Sequence, residues 1–216
     1  RDIVQRGAAW FTSFGRHGRQ GLRSFSVSGR VTQPGVKLAP AGITLRELVD
    51  EYCGGLPEGH ELYAYLPGGA SGGILPASMG DIPLDFDTLQ PYGCFIGSAA
   101  VIVLSQHDHA RDAALNVMRF FEHESCGQCT PCREGTRWMV QVLGRIEAGG
   151  GTFQDLETIN RVCVDMAETS FCALAVGAAP PVISAIKEFK NEFEVYIRRN
   201  PHANEPPKMK ISYPYL

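Results

Sequence analysis

The sequence lacks several features that mark special classes of protein. Its longest apolar runs, such as Ala99–Leu104, are far shorter than the roughly 20 residues that cross a bilayer. No charged segment followed by an apolar one opens the chain, so no secretion signal is visible. The charge balance is 20 − 23 = −3, which gives no basic excess for nucleic acid. We therefore predict a cytoplasmic protein, peripheral at most to a membrane complex, with no direct membrane insertion and no nucleic-acid partner.

The cysteine content also argues against a disulfide-stabilised fold. Seven is an odd number, and a reducing cytosol would keep these thiols free. Their spacing is uneven, because Cys126, Cys129 and Cys132 fall within seven residues and Cys163 and Cys172 follow later. This clustering indicates chemistry rather than packing.

Glycine and proline divide the chain into two halves. Residues 1–105 contain 17 Gly and 7 Pro, against 7 of each in the remainder, so turns dominate the first half. There, Phe25–Thr32 alternates like a half-buried strand, and Val36–Leu38 is the returning strand of a hairpin. A helix is predicted at Ile43–Tyr52, and Ala99–Leu104 is apolar enough for a central strand. This order predicts a small α+β domain of the β-grasp (ubiquitin-like) type.

The second half has a helical apolar period. Residues 112–123 and 135–148 are predicted to form the first two helices. Thr152 and Asp155 form a capping box that opens a third. We expect Pro180-Pro181 to start a fourth, because a missing N–H is harmless at a helix start. Four such helices with short joints predict an antiparallel four-helix bundle.

The cysteine triplet lies in the joint between the first two of these helices. Three thiols at i, i+3 and i+6 can turn around one centre, because Gly127 permits the backbone angles that this requires. Loop N–H groups can then point at sulfur, which tunes the potential of an iron–sulfur cluster. A [4Fe–4S] cluster needs a fourth thiolate, for which Cys163 and Cys172 are the candidates.

The two later cysteines differ in their helical phase. Cys163 is in phase with Ile159 and Met166, which is typical of a small core residue. Cys172 follows the end of that helix, where a loop can present it, so it is the favoured ligand. Zinc is less favoured than iron, because four-cysteine zinc sites usually have two separated Cys-x-x-Cys pairs. Unliganded thiols are disfavoured, because thiols this crowded oxidise readily.

These residues also carry a resemblance to a known family. Segment Glu124–Thr136, with 39 residues between the triplet and Cys172, resembles the cluster loop of the NADH-binding flavoprotein subunit. That subunit occurs in complex I, in NAD-linked formate dehydrogenases and as the diaphorase of bidirectional hydrogenases. Val27–Gly35 and Leu66–Ser71 resemble the family's soluble ligand-binding β-grasp (SLBB) domain, and Gly97–Val103 resembles its last strand.

The resemblance implies a set of ligands, cofactors and partners. Cys126, Cys129, Cys132 and Cys172 would ligate one [4Fe–4S] cluster. FMN and NAD(H) would bind in an N-terminal domain before Arg1, so we expect the sequence to be part of a longer subunit, without catalytic or flavin-binding residues of its own. The implied partners are other iron–sulfur subunits, namely a thioredoxin-like [2Fe–2S] subunit and a multi-cluster subunit.

The predicted organisation has four parts. Residues 1–24 close the preceding FMN/NADH domain, 25–106 form the β-grasp domain, 107–200 form the 4Fe–4S helical bundle, and 201–216 form an extended tail. The predicted function is electron transfer within an NAD(H)-dependent oxidoreductase, between FMN and partner clusters, in a formate dehydrogenase or complex I-like assembly. Segment Gly68–Ala77 is more similar to the formate dehydrogenase branch. The alternative function is a non-redox β-grasp interaction module with a structural zinc site.

Overall fold

The structure is a computed structural model and describes residues 1–205. Two short helices, α1 (Asp2–Arg6) and α2 (Ala8–Thr12), precede a five-stranded sheet. Its strands are β1 (Leu22–Gly29), β2 (Gly35–Pro40), β3 (Leu62–Leu66), β4 (Leu75–Pro76) and β5 (Ala100–Ser105), with a helical segment, α3 (Leu45–Glu47), between β2 and β3. Five helices follow, α4 (Ala110–Glu124), α5 (Thr130–Glu147), α6 (Phe153–Thr169), α7 (Ala173–Glu188) and α8 (Lys190–Ile197). A sheet followed by helices confirms the predicted α+β class.

The sheet has the strand order β2-β1-β5-β3-β4. Strands β1 and β2 form the predicted antiparallel hairpin, and β1 runs parallel to β5 with Val27 opposite Val101. Strand β3 is antiparallel to both β5 and β4. The apolar strand β5 therefore lies at the centre of the sheet, as its composition predicts.

The helical segment between β2 and β3 changes its winding. It begins as α3 and continues as a π-helical turn over Leu48–Tyr52. Thr44 and Glu47 cap its start reciprocally: Glu47 N–H donates to Thr44 Oγ1 over 3.2 Å, and Thr44 N–H donates to Glu47 Oε2 over 2.9 Å. The prediction of a helix at Ile43–Tyr52 is confirmed, although its second half is wider than an α-helix.

The sheet separates two hydrophobic cores. Successive side chains of a strand point to opposite faces. Tyr65 and Val103 therefore enter the core beneath α3, whereas Leu66 and Ile102 face the core formed by the helices. Both faces of the sheet are covered, and one of them forms the floor on which the helical domain packs.

Helix α7 begins earlier than the sequence predicts. It starts at Ala173, directly after Cys172, and Pro180 and Pro181 lie in its interior. The prediction that these prolines open the helix is wrong. Proline inside a helix removes a backbone hydrogen bond, yet α7 is almost wholly apolar on its inner face, and burial of residues such as Ala178 and Val182 keeps it helical. A further short helix, α8, follows the four long ones.

The end of the described chain is not extended. Residues 201–205 form turns, and the carbonyl of Ala203 accepts a hydrogen bond from Phe153 N–H over 3.1 Å at the start of α6. The rest of the predicted tail, residues 206–216, lies outside the described residues. Across residues 1–205, the helices are too short or too polar to cross a bilayer.

Candidate metal centre

The predicted cysteine triplet lies where α4 ends and α5 begins. Cys126 is exposed in the connecting loop, Cys129 is the half-buried N-cap residue of α5, and Cys132 is buried in the first turn of that helix. Gly127 has a φ of +77°, in the left-handed region that glycine adopts without strain. The loop therefore has at Gly127 the kind of unusual backbone angle that the glycine permits.

Cys172 is brought to this loop from a distant part of the sequence. It is the exposed N-cap residue of α7, with extended backbone angles of φ −123° and ψ 168°. The preceding residue, Phe171, donates its N–H to Cys129 Sγ over 3.3 Å. This bond places the N-termini of α5 and α7 next to each other. Because the donor belongs to the backbone, the side chains of the sequence give no signal for it.

Both helix starts are suited to negative charge. Neither Cys129 nor Cys172 makes a side-chain hydrogen bond that caps its helix. The first N–H groups of a helix lack internal partners, and the helix dipole adds partial positive charge at the same end. The N-termini of α5 and α7 therefore lie beside the free thiols of Cys129 and Cys172. Together they can hold an anionic group.

Hydrogen bonds order the loop around the triplet. Ser125 Oγ lies 3.4 Å from Cys132 Sγ and accepts the N–H of Gly127 over 3.4 Å. On the other side, Arg133 Nη1 donates to the carbonyl oxygen of Gly127 over 2.5 Å. Both backbone groups of Gly127 are thus held: its N–H by Ser125, which lies against Cys132, and its carbonyl by Arg133 in the first turn of α5.

A polar group beside Cys172 has no partner among residues 1–205. The hydroxyl oxygen of Ser170 is buried and makes no hydrogen bond there. Buried hydroxyls are normally bonded, and a sulfur-rich cofactor would supply the missing acceptor. The four free thiols, the two helix N-termini and this spare donor together fit an iron–sulfur cluster.

The structure does not bring all four sulfurs into one coordination sphere. Within residues 1–205, no three His, Cys, Asp or Glu side chains lie close enough together to ligate one metal ion. Cys129 contacts the residue before Cys172, and Cys132 lies in the helical turn that follows Cys129. Joint ligation by Cys126, Cys129, Cys132 and Cys172 therefore stays a prediction.

Cys163 occupies a different environment. It is fully buried within α6, and its Sγ lies 3.3 Å from Met139 Sδ. Burial raises the pKa of this thiol to about 12, which disfavours the thiolate that a metal requires. Cys163 thus has the core position that its helical phase predicts.

Two parts of the chain match described domain families. Residues 112–196 match the NADH-ubiquinone oxidoreductase-F iron-sulfur binding region, and residues 24–75 match the SLBB domain. The iron–sulfur region spans all four predicted ligands. The match agrees with [4Fe–4S] as the cofactor of the helical domain.

Individual relatives give the same result. The second of the NADH-quinone oxidoreductase F subunits of Rhizobium meliloti (strain 1021) is 43% identical over 195 residues, which are 90% of this chain and 46% of the relative. The NADH-quinone oxidoreductase F subunit of Mycobacterium tuberculosis (strain ATCC 25618 / H37Rv) is 40% identical over 91% of this chain and 44% of the relative. The chain therefore spans less than half the length of these relatives.

A solved structure shares the fold. The crystal structure of NAD+-reducing [NiFe]-hydrogenase in the H2-reduced state contains a chain that superimposes with a TM-score of 0.79 at 33% identity. The match covers 90% of this chain and 33% of that one. The relatives are by name components of oxidoreductases, and the family resemblance drawn from the sequence is confirmed. The chain therefore contains an SLBB domain and an iron–sulfur binding region similar to those of NADH-quinone oxidoreductase F subunits.

Proposed function

We propose that this chain is the electron-transfer part of an NADH-dehydrogenase-type flavoprotein subunit, in which Cys126, Cys129, Cys132 and Cys172 hold one [4Fe–4S] cluster. The observation that carries the proposal is the hydrogen bond from Phe171 N–H to Cys129 Sγ, because it joins the loop of the fourth cysteine to the triplet. When bound, such a cluster takes up and releases one electron at a time.

The protein's own contribution is to hold and tune this site. Cys132 anchors one side in the helical core, while Cys126 and Cys172 face the surface, where a redox partner has access. The N-termini of α5 and α7 offset the negative charge of the thiolates. The Phe171 N–H donates to Cys129 Sγ, and donors of this kind raise the reduction potential by stabilising the more negative, reduced form. The Ser170 hydroxyl, which is buried and without a partner among residues 1–205, is a candidate for a second such donor.

The other half of the proposed activity lies in an FMN- and NAD(H)-binding domain that precedes residue 1. Two observations support it: the relatives are more than twice as long as the matched segment, and α1 and α2 bury none of their residues in this chain. Residues 1–24 would then close that domain, followed by the β-grasp domain over 25–106 and the helical domain over 107–200. Electrons would leave for clusters on partner iron–sulfur subunits.

Two measurements on the full chain, prepared without oxygen, test the cluster. We expect about four iron and four sulfide ions per chain and an electron paramagnetic resonance signal on reduction. Cys172→Ala should lose most of the iron, whereas Cys163→Ala, the matched control, should keep it. Equal losses in the two variants would contradict the ligand assignment. Zinc without iron or acid-labile sulfide would favour the alternative, a non-redox interaction module.

Within the family, the Gly68–Ala77 segment favours a formate dehydrogenase assembly. The test is made on the complete complex purified from its native source. Formate-dependent reduction of NAD+ would support this branch. NADH-dependent reduction of a quinone without formate activity would instead assign a complex I-like assembly.

A further inference from the structure

We infer that Arg133 is a positioning residue for the proposed cluster, which holds the Cys126–Cys129 loop in place and raises the reduction potential of the site. This inference rests on the proposed function. Arg133 directly follows the proposed ligand Cys132, and its side chain folds back along the loop while remaining partly exposed to solvent. Three of its nitrogens have partners within the same short segment.

The contacts of Arg133 close a ring of seven residues. Its Nη1 donates to the Gly127 carbonyl over 2.5 Å, its Nε to Glu134 Oε1 over 3.0 Å, and its Nη2 lies 3.5 Å from Thr130 Oγ1. The rigid fork of a guanidinium can make such bonds at once, whereas an ammonium acts as a point charge. The guanidinium therefore fixes the turn that carries Cys126 and Cys129.

The point of attachment is the residue of the loop with the greatest conformational freedom. A glycine has more such freedom than any other residue, and Gly127 adopts a left-handed angle of +77°. Its N–H is held by Ser125 Oγ and its carbonyl by Arg133. Holding both groups fixes the orientation of the peptide planes on either side of Gly127, and those planes connect to Cys126 and Cys129.

The charge of Arg133 has a second consequence. Glu134 accepts one of its N–H groups, yet the guanidinium still lies against the backbone between two sulfur ligands. A fixed positive charge beside a redox centre stabilises the reduced form, which carries one more negative charge. Loss of this charge should shift the reduction potential to more negative values.

Helix α5 supplies a matched control. Arg137 lies one turn further along the helix, and its Nε is 3.9 Å from Glu122 Oε1. The two arginines have similar exposure, and Arg137 makes no hydrogen bond to the loop among the described residues. Arg137→Gln therefore removes one charge from the same helix while leaving the contact with Gly127 in place.

The test compares Arg133→Gln, Arg133→Lys and Arg137→Gln in the full chain with its cluster bound. Arg133→Gln should lose the cluster to a chelator about tenfold faster than Arg137→Gln, because outer contacts of this kind change metal affinity by about 10- to 100-fold. Its potential, from a redox titration followed by electron paramagnetic resonance, should shift further to negative values than that of Arg137→Gln. Arg133→Lys retains the positive charge, so its reduction potential should stay close to that of wild type. It should still lose the cluster faster than wild type, because the ammonium cannot make the same set of bonds.

A second readout needs no cluster. In the metal-free full chain, Arg133→Gln should raise the rate at which iodoacetamide alkylates Cys126 and Cys129 severalfold, while Cys172 reacts at an unchanged rate. Equal chelator and alkylation rates in Arg133→Gln and Arg137→Gln would overturn the inference. If the wild-type chain takes up no iron and sulfide, the proposed function fails, and the alkylation rates still decide whether Arg133 orders the loop.

Discussion

The N-termini of the four long helices form two contrasting pairs. The carboxylate of Glu192 in α8 accepts the Ala110 and Arg111 N–H groups at the start of α4, over 3.3 and 3.0 Å. The carboxylate of Asp155 accepts the Thr152 N–H over 2.7 Å at the start of α6. Helices α5 and α7 begin instead at Cys129 and Cys172, without a side-chain cap.

The two pairs of helix starts are therefore suited to different tasks. Those of α4 and α6 contribute to the stability of the fold, and those of α5 and α7 are suited to binding a negatively charged group. A side-chain cap contributes about 1 kcal/mol to a helix. At α4 a carboxylate accepts two of the first N–H groups, and at α6 a carboxylate accepts the N–H of the N-cap residue, whose own hydroxyl has no partner among residues 1–205. Helices α5 and α7 lack such a cap at the two cysteines that are predicted ligands. Their open ends keep N–H groups and positive dipole ends for a negatively charged group.

The largest expected effect within this comparison is at α6. Asp155 is fully buried and pairs with Arg145, in addition to its bond to Thr152. Asp155→Ala should lower the free energy of unfolding by about 3 kcal/mol, because the cap is lost and Arg145 is left unpaired. Chemical denaturation measures this change. The exposed Asp165 on the same helix is the control, and Asp165→Ala should change stability by less than about 0.5 kcal/mol. Equal effects of the two changes would contradict the importance of the cap.

The next effect is at α4. Glu192 serves two N–H groups and also accepts the hydroxyl of Tyr63 on β3. Burial and this bond raise the pKa of Tyr63. Glu192→Ala should cost about 2 kcal/mol of unfolding free energy. Tyr63→Phe keeps the helix cap and removes only the hydroxyl, so it should cost less. If the two variants were equally stable, the contribution of the cap would be negligible.

A substitution at Cys172 can give α7 the kind of side-chain cap that it lacks. Cys172 already has the extended backbone of an N-cap residue. Cys172→Asp should therefore raise the unfolding free energy of the metal-free chain by about 1 kcal/mol while it removes a proposed cluster ligand. Cys172→Ala removes the same ligand without adding a cap. If the aspartate variant were no more stable than the alanine variant, the start of α7 would not lack a stabilising cap, and the contrast with α4 and α6 would be wrong.

The smallest effect concerns acid stability just before α4. Asp108 accepts two hydrogen bonds from Arg30, over 3.0 and 2.7 Å, and one from Ser105 N–H over 2.9 Å. The bonds from Arg30, with lesser help from Ser105, hold the pKa of Asp108 down to about 2. A lowered carboxyl pKa stabilises the fold above the ordinary value near about 3.9, and this gain is lost as pH falls toward about 2. Asp108→Asn should therefore lose less stability than wild type between about pH 6 and pH 3 in urea titrations. An unchanged acid dependence would exclude this role.

Local sequence rules predicted the elements whose signals lie within a few residues. The capping pairs Thr44–Glu47 and Thr152–Asp155 lie three residues apart, and both helices begin where these pairs predict. The apolar alternation of β5 and the phase of Cys163 were equally local and are matched by the fold.

The features that escaped prediction depend on contacts between distant residues. Glu192 caps α4 although the two are more than 80 residues apart in the sequence, and no local pattern predicts such a contact. The two prolines in α7 fit the rule for a helix start, but burial of the helix against the sheet and its neighbours overrides that preference. The bond from Phe171 to Cys129 uses a backbone donor that every residue other than proline possesses.

Helix α7 also contacts the sheet domain, at Gly177 and again further along the helix at Ser184. The hydroxyl of Ser184 accepts the N–H of Ile74 over 2.7 Å, and a Cβ at Gly177 would lie only 3.1 Å from Ser71 Cβ. The loop before β4 and the helix that begins at Cys172 therefore interlock. A larger side chain at Gly177 would fit only if Ser71 moved by a few tenths of an ångström. Because Cys172 is the N-cap residue of α7, the SLBB domain packs against the same helix that presents the fourth predicted cluster ligand.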